Sequence, residues 1–428
     1  RKHDEEESTP WEVIKEARKQ GFGGLEGIQR SAGDAQGQMQ VISAEEFHWG
    51  CAGIALAISG SGLAAAGIAS SGTPEQIARW VPECFGDEAE IKLGAYAVTE
   101  PQAGSDVKSL KTTAKRDGDE WVLNGTKVFI SMGHMSTWTV LCAYEDLKKP
   151  SETTVGLMVK TGAKGFSFGT HENKMGQRVC PASVLVFEDC FVPDDQVLFS
   201  AELIRKFTKK PVREIAQRYI DYVVGATRPG VCAFGVGAAR GAFETALKYA
   251  SSTTMHGRLL VNHEWVQCML AEMYKNVALG RLAYTEANYA NSHRGIYRIL
   301  QLKPAYYYFR LMPQAYFDTV LAPMLEKDFS GRIMGKLTFD WPRLEDQRCC
   351  SGWASLAKVA GTDIGVRNCQ MALELMGRTG LRQDAGAEKM LRDIKLLQIY
   401  EGTNQLNRLN VFKCLIAPEI PQASVFEE

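Results

Sequence analysis

Two short segments carry residue types and spacings that can do chemistry. The first is Tyr96-Ala97-Val98-Thr99-Glu100-Pro101-Gln102-Ala103-Gly104-Ser105-Asp106. A polar turn containing Pro and Gly follows an extended run, so backbone N–H groups and hydroxyls are turned toward one surface. Such a surface can hydrogen-bond a planar, acceptor-rich ring or a phosphate, and it can equally be a plain turn. The second segment is Ile399-Tyr400-Glu401-Gly402-Thr403-Asn404-Gln405. On this segment alone, Glu401 is either a surface acid after a helix or an acid against a flat apolar site, where desolvation raises a carboxylate's pKa. The 7 histidines form no ligand spacing, so no metal is expected. Adjacent Cys349 and Cys350 read as a redox pair or as two thiols in a helix or turn.

These segments must be positioned by the elements around them. From Thr9 to Ala89 the pattern is helical. Ser8-Thr9-Pro10-Trp11-Glu12 predicts an N-cap with Pro in the first turn, and Thr73-Pro74-Glu75-Gln76 repeats the signal. Cys51 to Ser70 carries no charge but is rich in Ala, Gly and Ser, which predicts a buried helix at a helix–helix contact rather than a membrane span. Near Leu93 the period changes. Asp117-Gly118 is a turn signal, and Asn124-Gly125 between Trp121-Val122-Leu123 and Val128-Phe129-Ile130 predicts a hairpin. Further short strands are expected at Thr139–Tyr144, Thr154–Val159, Phe166–Gly169 and Ser183–Phe187.

From Thr227 onward the chain reads as helical again. Closely spaced small residues from Gly235 to Ala242 suit tight helix packing, and Val261–Asn291, Ala354–Met376 and Met390–Tyr400 are amphipathic. The expected fold is therefore α+β: an N-terminal α-helical domain over 1–92, a small antiparallel β-barrel domain over 93–198, and a C-terminal α-helical bundle over 199–428.

Composition narrows the function. A net charge of -1 over 428 residues gives no reason to expect nucleic acid or an anionic membrane as the main partner. The 11 scattered cysteines, an odd number with no C-x-x-C pair, argue for a reducing compartment rather than a disulfide framework. The sequence begins at Arg1 and shows no signal-peptide pattern.

The first segment closely resembles the T-E-P-x-A-G-S-D signature of the acyl-CoA dehydrogenase family, and four more segments follow in the family's order. Asn124-Gly125-Thr126-Lys127-Val128-Phe129-Ile130-Ser131 resembles the strand beside the flavin. Met175-Gly176-Gln177-Arg178 followed by Val186-Phe187-Glu188-Asp189 resembles the end of the β domain. Thr227-Arg228-Pro229 resembles the start of the helix under the thioester, and Ile399–Gln405 the segment that carries the base. The resemblance implies FAD-dependent oxidation of the Cα–Cβ bond of an acyl-CoA, with Glu401 as the base. That chemistry needs a base, donors to the thioester oxygen and a hydride acceptor near Cβ. It also implies that Tyr96, Val98, Thr99, Ser105, Phe129, Ile130, Ser131, Glu374, Arg378, Thr403 and Gln405 face the cofactor. Ser105, Arg228 and Gly402 are implied to face the substrate, with the backbone N–H of Glu401 as a thioester donor. An electron-transfer flavoprotein as acceptor, a homodimer or homotetramer, and a bacterial cytoplasmic or mitochondrial matrix location follow from the same resemblance.

The sequence departs from the family pattern where the adenine half of FAD binds. Thr253 stands in place of the usual Arg, His256 in place of Phe, Glu374 in place of Gln and Arg378 in place of Gly. Relocation of a cation from position 253 to Arg378 and a local Glu374–Arg378 pair at i, i+4 are both open readings. The chain is also longer than the pattern near 199–226 and 293–348. The aromatic runs at 304–309 and 339–342 suit the core of an insertion, a partner interface or a substrate wall. Two alternatives stand beside the dehydrogenase: an acyl-CoA oxidase-like offshoot, and a non-catalytic subunit of a larger assembly.

Overall fold

In the computed structural model of the chain, residues 2–27, 34–87, 90–295, 298–301, 303, 343–420 and 422–423 are described. The aromatic runs at 304–309 and 339–342 lie outside them. The N-terminal part is helical: α1 (Lys2–Glu6), α2 (Trp11–Lys19), α3 (Gln38–Gly50), α4 (Ala52–Ser59), α5 (Ser61–Ser71) and α6 (Pro74–Glu83). The Thr73 signal forms a full capping box. Gln76 N donates to Thr73 Oγ1 at 3.2 Å and Thr73 N to Gln76 Oε1 at 3.0 Å. The signal at Ser8-Thr9 behaves differently. Pro10 is the N-cap of α2 without a side-chain bond, and the Thr9 hydroxyl turns instead to Met135 Sδ.

The uncharged stretch is two helices bent by 42°, and among the described residues no single helix is long and apolar enough to cross a membrane. Its partner is the sheet as much as a helix. Ala64 and Ile68 of α5 share one core with Trp80 of α6 and with Trp138, Val140 and Met158 of the strands.

Those strands are β1 (Gly94–Ala97), β2 (Thr113–Asp117), β3 (Glu120–Ser131), β4 (Trp138–Tyr144), β5 (Thr154–Lys160), β6 (Phe166–His171), β7 (Ala182–Pro193) and β8 (Val197–Phe199). They form one sheet in the order β6-β7-β3-β2-β4-β5-β8, with β1 paired to β4. Most pairs are antiparallel, as expected, but β1 runs parallel to β4 and β2 meets β4 in parallel, so the sheet is mixed. The Asp117-Gly118 turn joins β2 to β3. The hairpin expected at Asn124-Gly125 does not form, and β3 runs straight through. β7 pairs with β3 on both sides of this dipeptide, and the Gly sits in an irregularity between Leu123 and Gly125 rather than in a turn. The Asn124 amide is occupied by Asp189 on β7: its Nδ2 donates to Oδ1 at 3.0 Å and its Oδ1 accepts from the backbone N–H at 2.8 Å.

The C-terminal part holds α7 (Ala201–Phe207), α8 (Val212–Ser252), α9 (Glu264–Arg294), α10 (Leu344–Met376), α11 (Ala387–Lys395) and α12 (Asn404–Val411). The small residues of α8 serve close packing: a Cβ on Gly235 would lie 2.3 Å from the carbonyl oxygen of Gly361 on α10. Thr227-Arg228-Pro229 does not begin a helix. It lies inside α8, which starts at Val212 because Val212, Ile215 and Tyr219 bury against Trp80 and Phe199. Pro229 has no N–H to give the carbonyl four residues back, Gly225. Asn291 on α9 supplies the missing donor, its Nδ2 reaching Gly225 O at 2.9 Å. The helix therefore continues through the proline. Cys349 and Cys350 are neighbours on α10, where side chains of adjacent residues diverge. Their place inside a helix favours the reading of two helical thiols.

Candidate active site

The centre of the site is a turn between α11 and α12. Glu401 has φ +56° and Gly402 has φ +80°, two left-handed residues in succession. Glycine takes this conformation freely, but a glutamate does so at a cost and persists there only when its surroundings hold it. Three sets of donors do so from the carbonyl side. Asn407 Nδ2 lies 2.8 Å from the Gly402 oxygen and 3.0 Å from that of Thr403. Arg228 Nε donates to the Glu401 carbonyl oxygen at 3.2 Å, and Lys358 Nζ to that of Gly402 at 2.8 Å. A Cβ on Gly402 would crowd Asn407 Nδ2 at 3.2 Å and Arg228 Nη2 at 3.3 Å. Thr403 closes the turn as the N-cap of α12, its hydroxyl accepting from Leu406 N.

The Glu401 carboxylate faces α8, where Thr227 Oγ1 donates to its Oε2 at 3.1 Å. Desolvation pushes its pKa above the usual carboxylate range, against the charge of Arg228, the Thr227 hydrogen bond and the charge of Lys358. The two cations are themselves buried, and neither has an ion-pair partner among the described residues. Arg228 also donates from Nη1 to Ser355 Oγ at 2.8 Å. It is thus engaged beneath the turn, a placement that gives no support to the expected contact with CoA. The roles of Arg228, Lys358 and Asn407 in holding the turn were not read from the sequence. Their partners are backbone atoms far along the chain, which no spacing reveals.

The sheet supplies the second half of the site. Tyr96 lies on β1, and its phenol is pushed far above its usual range by desolvation first, then by Cys142 and by the charge of Glu401. The turn after β1 is tied to β3 by a buried ion pair, Lys127 Nζ to Glu100 Oε1 at 2.8 Å. Lys127 also donates to the Val98 carbonyl at 2.9 Å, and Thr112 Oγ1 and Lys111 N donate to Glu100. Desolvation raises the Glu100 pKa, but Lys127 and the hydrogen bonds outweigh it and bring it down to about 2. Both residues stand inside the quoted motifs; their pairing was missed because they are distant in sequence.

A register shift between Lys127 and Ile130 re-aims Phe129, which has φ +57° and is 61% exposed. Ile130 points into the β core at 2% exposure, so only its backbone can border a ligand. Among the described residues, the hydroxyls of Thr99, Ser105 and Ser131 are not engaged by protein partners. An exposed aromatic face beside free hydroxyls fits a flat, acceptor-rich group such as a flavin ring.

Comparison with known proteins gives the same outline. Residues 1–88, 95–190, and 218–299 with 341–416 match the acyl-CoA dehydrogenase N-terminal, middle and C-terminal domains. The chain belongs to the acyl-CoA dehydrogenase family. It is 29% identical over 328 residues to a probable acyl-CoA dehydrogenase of Mycobacterium tuberculosis, spanning 77% of this chain and 68% of the relative. It is 28% identical over 374 residues to the cyclohex-1-ene-1-carbonyl-CoA dehydrogenase of Syntrophus aciditrophicus, spanning 87% and 74%. Butyryl-CoA dehydrogenase from Megasphaera elsdenii shares the fold at a TM-score of 0.73 and 22% identity, over 97% of this chain and 92% of that one. The family is one of flavoprotein oxidoreductases, for which a tetramer is typical.

The positions that depart from the acyl-CoA dehydrogenase pattern lie at two element ends. Thr253 follows α8, and His256-Gly257 is the tight turn of a small hairpin in which Thr254–Met255 pairs with Arg258–Leu259. Glu374 and Arg378 do not form an i, i+4 pair. Gly377, at φ +55°, ends the helix between them, and Glu374 faces Arg367 at 3.9 Å instead. Arg378 is exposed in the following turn with no protein partner among the described residues. Gln405 is exposed on α12.

Proposed function

We propose that the protein is an FAD-dependent acyl-CoA dehydrogenase that converts an acyl-CoA thioester to the enoyl-CoA, with Glu401 as the base. The observation that carries this reading is the desolvated Glu401 carboxylate, oriented by Thr227 and framed by two buried cations. A carboxylate with a raised pKa is a stronger proton acceptor, as removal of a weakly acidic carbon-bound proton requires. In this reading Glu401 takes the proton from Cα as a hydride leaves Cβ, and the electron pair of the Cα–H bond forms the double bond. In this reading charge that develops on the thioester oxygen meets the backbone N–H of Glu401 and the positive potential of Arg228 and Lys358. FAD, held by Phe129, Thr99, Ser131 and the backbone around Val98 and Ile130, would supply the hydride acceptor. Ser105 is assigned to the CoA side.

Arg378 is assigned to the FAD diphosphate, because it is a free cation in a family that binds flavin and Thr253 cannot supply one. A homodimer or homotetramer is assigned as well. On α9, Leu282 is 66% exposed and Tyr289 57%, two large apolar side chains one heptad apart. An electron-transfer flavoprotein is assigned as acceptor, in the bacterial cytoplasm or mitochondrial matrix. The test is anaerobic mixing with butyryl-CoA, octanoyl-CoA and palmitoyl-CoA. Bleaching of a yellow protein supports the reading, and rapid recolouring in air would favour an oxidase. A colourless protein, or one that no thioester bleaches, contradicts it.

A further inference from the structure

Lys358 is fully buried on α10. A buried ammonium is ordinarily matched by a carboxylate. Here Nζ instead donates to the Gly402 carbonyl oxygen at 2.8 Å and to Asn404 Oδ1 at 2.6 Å. Asn404 is itself fixed, its Nδ2 donating to Thr362 Oγ1 at 2.9 Å and to Asp363 Oδ1 at 2.6 Å. Gln398, from the segment that leads into the turn, donates to the same Asp363 oxygen at 2.7 Å. The polar chain thus joins both ends of the turn to α10, and the ammonium sits at its middle.

The turn needs this support. Glu401 occupies a conformation that its side chain disfavours, and it is followed by a second left-handed residue. Arg228 takes the first carbonyl and Lys358 the second. Loss of either donor leaves its carbonyl with Asn407 as the remaining side-chain donor, at 3.4 Å for Glu401 and 2.8 Å for Gly402, and frees the turn to relax, which would carry the carboxylate away from its place.

We propose that Lys358 is a positioning residue for Glu401, holding the Gly402 carbonyl and Asn404 so that the left-handed turn presents the carboxylate and the backbone N–H together, while its charge acts on the carboxylate. This rests on the reading of Glu401 as the base. The charged groups around Lys358 are Arg228 from α8, Glu401 from the turn, Asp363 from its own helix and Arg408 from α12. Desolvation, then Arg228, brings the Lys358 pKa down to about 7 against the pull of Glu401 and Asp363.

The test measures anaerobic flavin bleaching by the best of the three thioesters across pH, in the flavin-loaded full chain, for Lys358→Met, Lys358→Arg and Glu401→Gln. Lys358→Met is expected to keep its flavin and to bleach on the order of 100-fold more slowly, the effect of a small misplacement of a reacting group. Removing a positive charge raises a neighbouring carboxylate's pKa, so the acid limb of its pH profile should move to higher pH. Lys358→Arg should recover part of the rate. If Lys358→Met does not fold, Lys358→Gln, which keeps a donor but loses the charge, is read by the same limb. An unmoved acid limb overturns the proposal whatever the rate, because a merely structural lysine would leave the limb in place. Glu401→Gln separates the two claims. If it bleaches normally, the base lies elsewhere; if it fails to bleach while Lys358→Met behaves as the unmutated protein, only the positioning role falls.

Discussion

Arg228 Nε lies 3.2 Å from the carbonyl oxygen of Glu401, so the cation nearest the candidate base holds its backbone rather than its carboxylate. The carboxylate is left to Thr227 and remains able to accept a proton. Replacing the guanidinium by a shorter donor should loosen the turn without emptying the flavin site. Arg228→Lys is expected to retain flavin and to lower the rate of reduction by roughly 100-fold. A stopped-flow rate equal to that of the unmutated protein would show that the contact does not position the base.

The raised pKa of Glu401 sets a pH dependence. A base must be unprotonated to act, so the rate of flavin reduction should fall as pH drops through the raised Glu401 pKa, above the usual carboxylate range. Thr227→Val removes a hydrogen bond to the charged form and should move that fall to still higher pH. A profile in which the variant and the unmutated protein coincide would remove Thr227 from the site.

Glu100 and Lys127 make a separate prediction about stability. The Glu100 pKa is lowered from 4.5 to about 2 on folding. The stability this contributes is fully present above 4.5 and is lost as pH falls from there toward 2. Lys127→Met leaves a buried carboxylate uncompensated and should cost about 3–5 kcal/mol. Denaturant unfolding of both proteins at neutral pH checks it, and a loss below about 1 kcal/mol, the scale of an exposed pair, would contradict the buried assignment.

Asn291 should matter for the same reason that Pro229 is tolerated. Asn291→Leu leaves the Gly225 carbonyl without a donor inside the bundle and should cost about 1–3 kcal/mol. In the double variant Pro229→Ala, Asn291→Leu, a backbone N–H returns to that carbonyl and should recover part of the loss. Equal melting temperatures for the single and double variants would refute this account of the helix.

Arg378 tests the diphosphate assignment. Arg378→Ala should weaken FAD binding by about 1.5–3 kcal/mol, roughly ten- to a hundred-fold. Flavin retained through dialysis as in the unmutated protein would remove Arg378 from the cofactor site.

Much of this was legible in the residues, and the failures have physical causes. Thr73 announced its N-cap because the Pro that follows and the backbone it caps lie within one helical turn. The order of helices, strands and helices followed from hydrophobic period, which is also local. Asn124-Gly125 misled because β7, more than fifty residues later (Ala182–Pro193), pairs across it and overrides the turn preference. Thr227-Arg228-Pro229 read as a helix start because Pro favours that position, and the donor that lets the helix continue, Asn291, comes from another helix. The spacing of Glu374 and Arg378 suggested a pair, but Gly377 between them ends the helix on which that pairing depends. Glu401 stood out in its segment. What holds it, Arg228, Lys358 and Asn407, did not, because each acts on a carbonyl that every residue carries.

The most direct test of the central claim is the anaerobic reduction rate of Glu401→Gln, measured beside its flavin content. The substitution keeps the size and hydrogen bonding of the side chain and removes its ability to take a proton. The expected result is a flavin-loaded, yellow protein whose reduction by acyl-CoA falls by several orders of magnitude, on the scale lost when a catalytic base is removed. A Glu401→Gln protein that binds flavin and bleaches at the unmutated rate would contradict it.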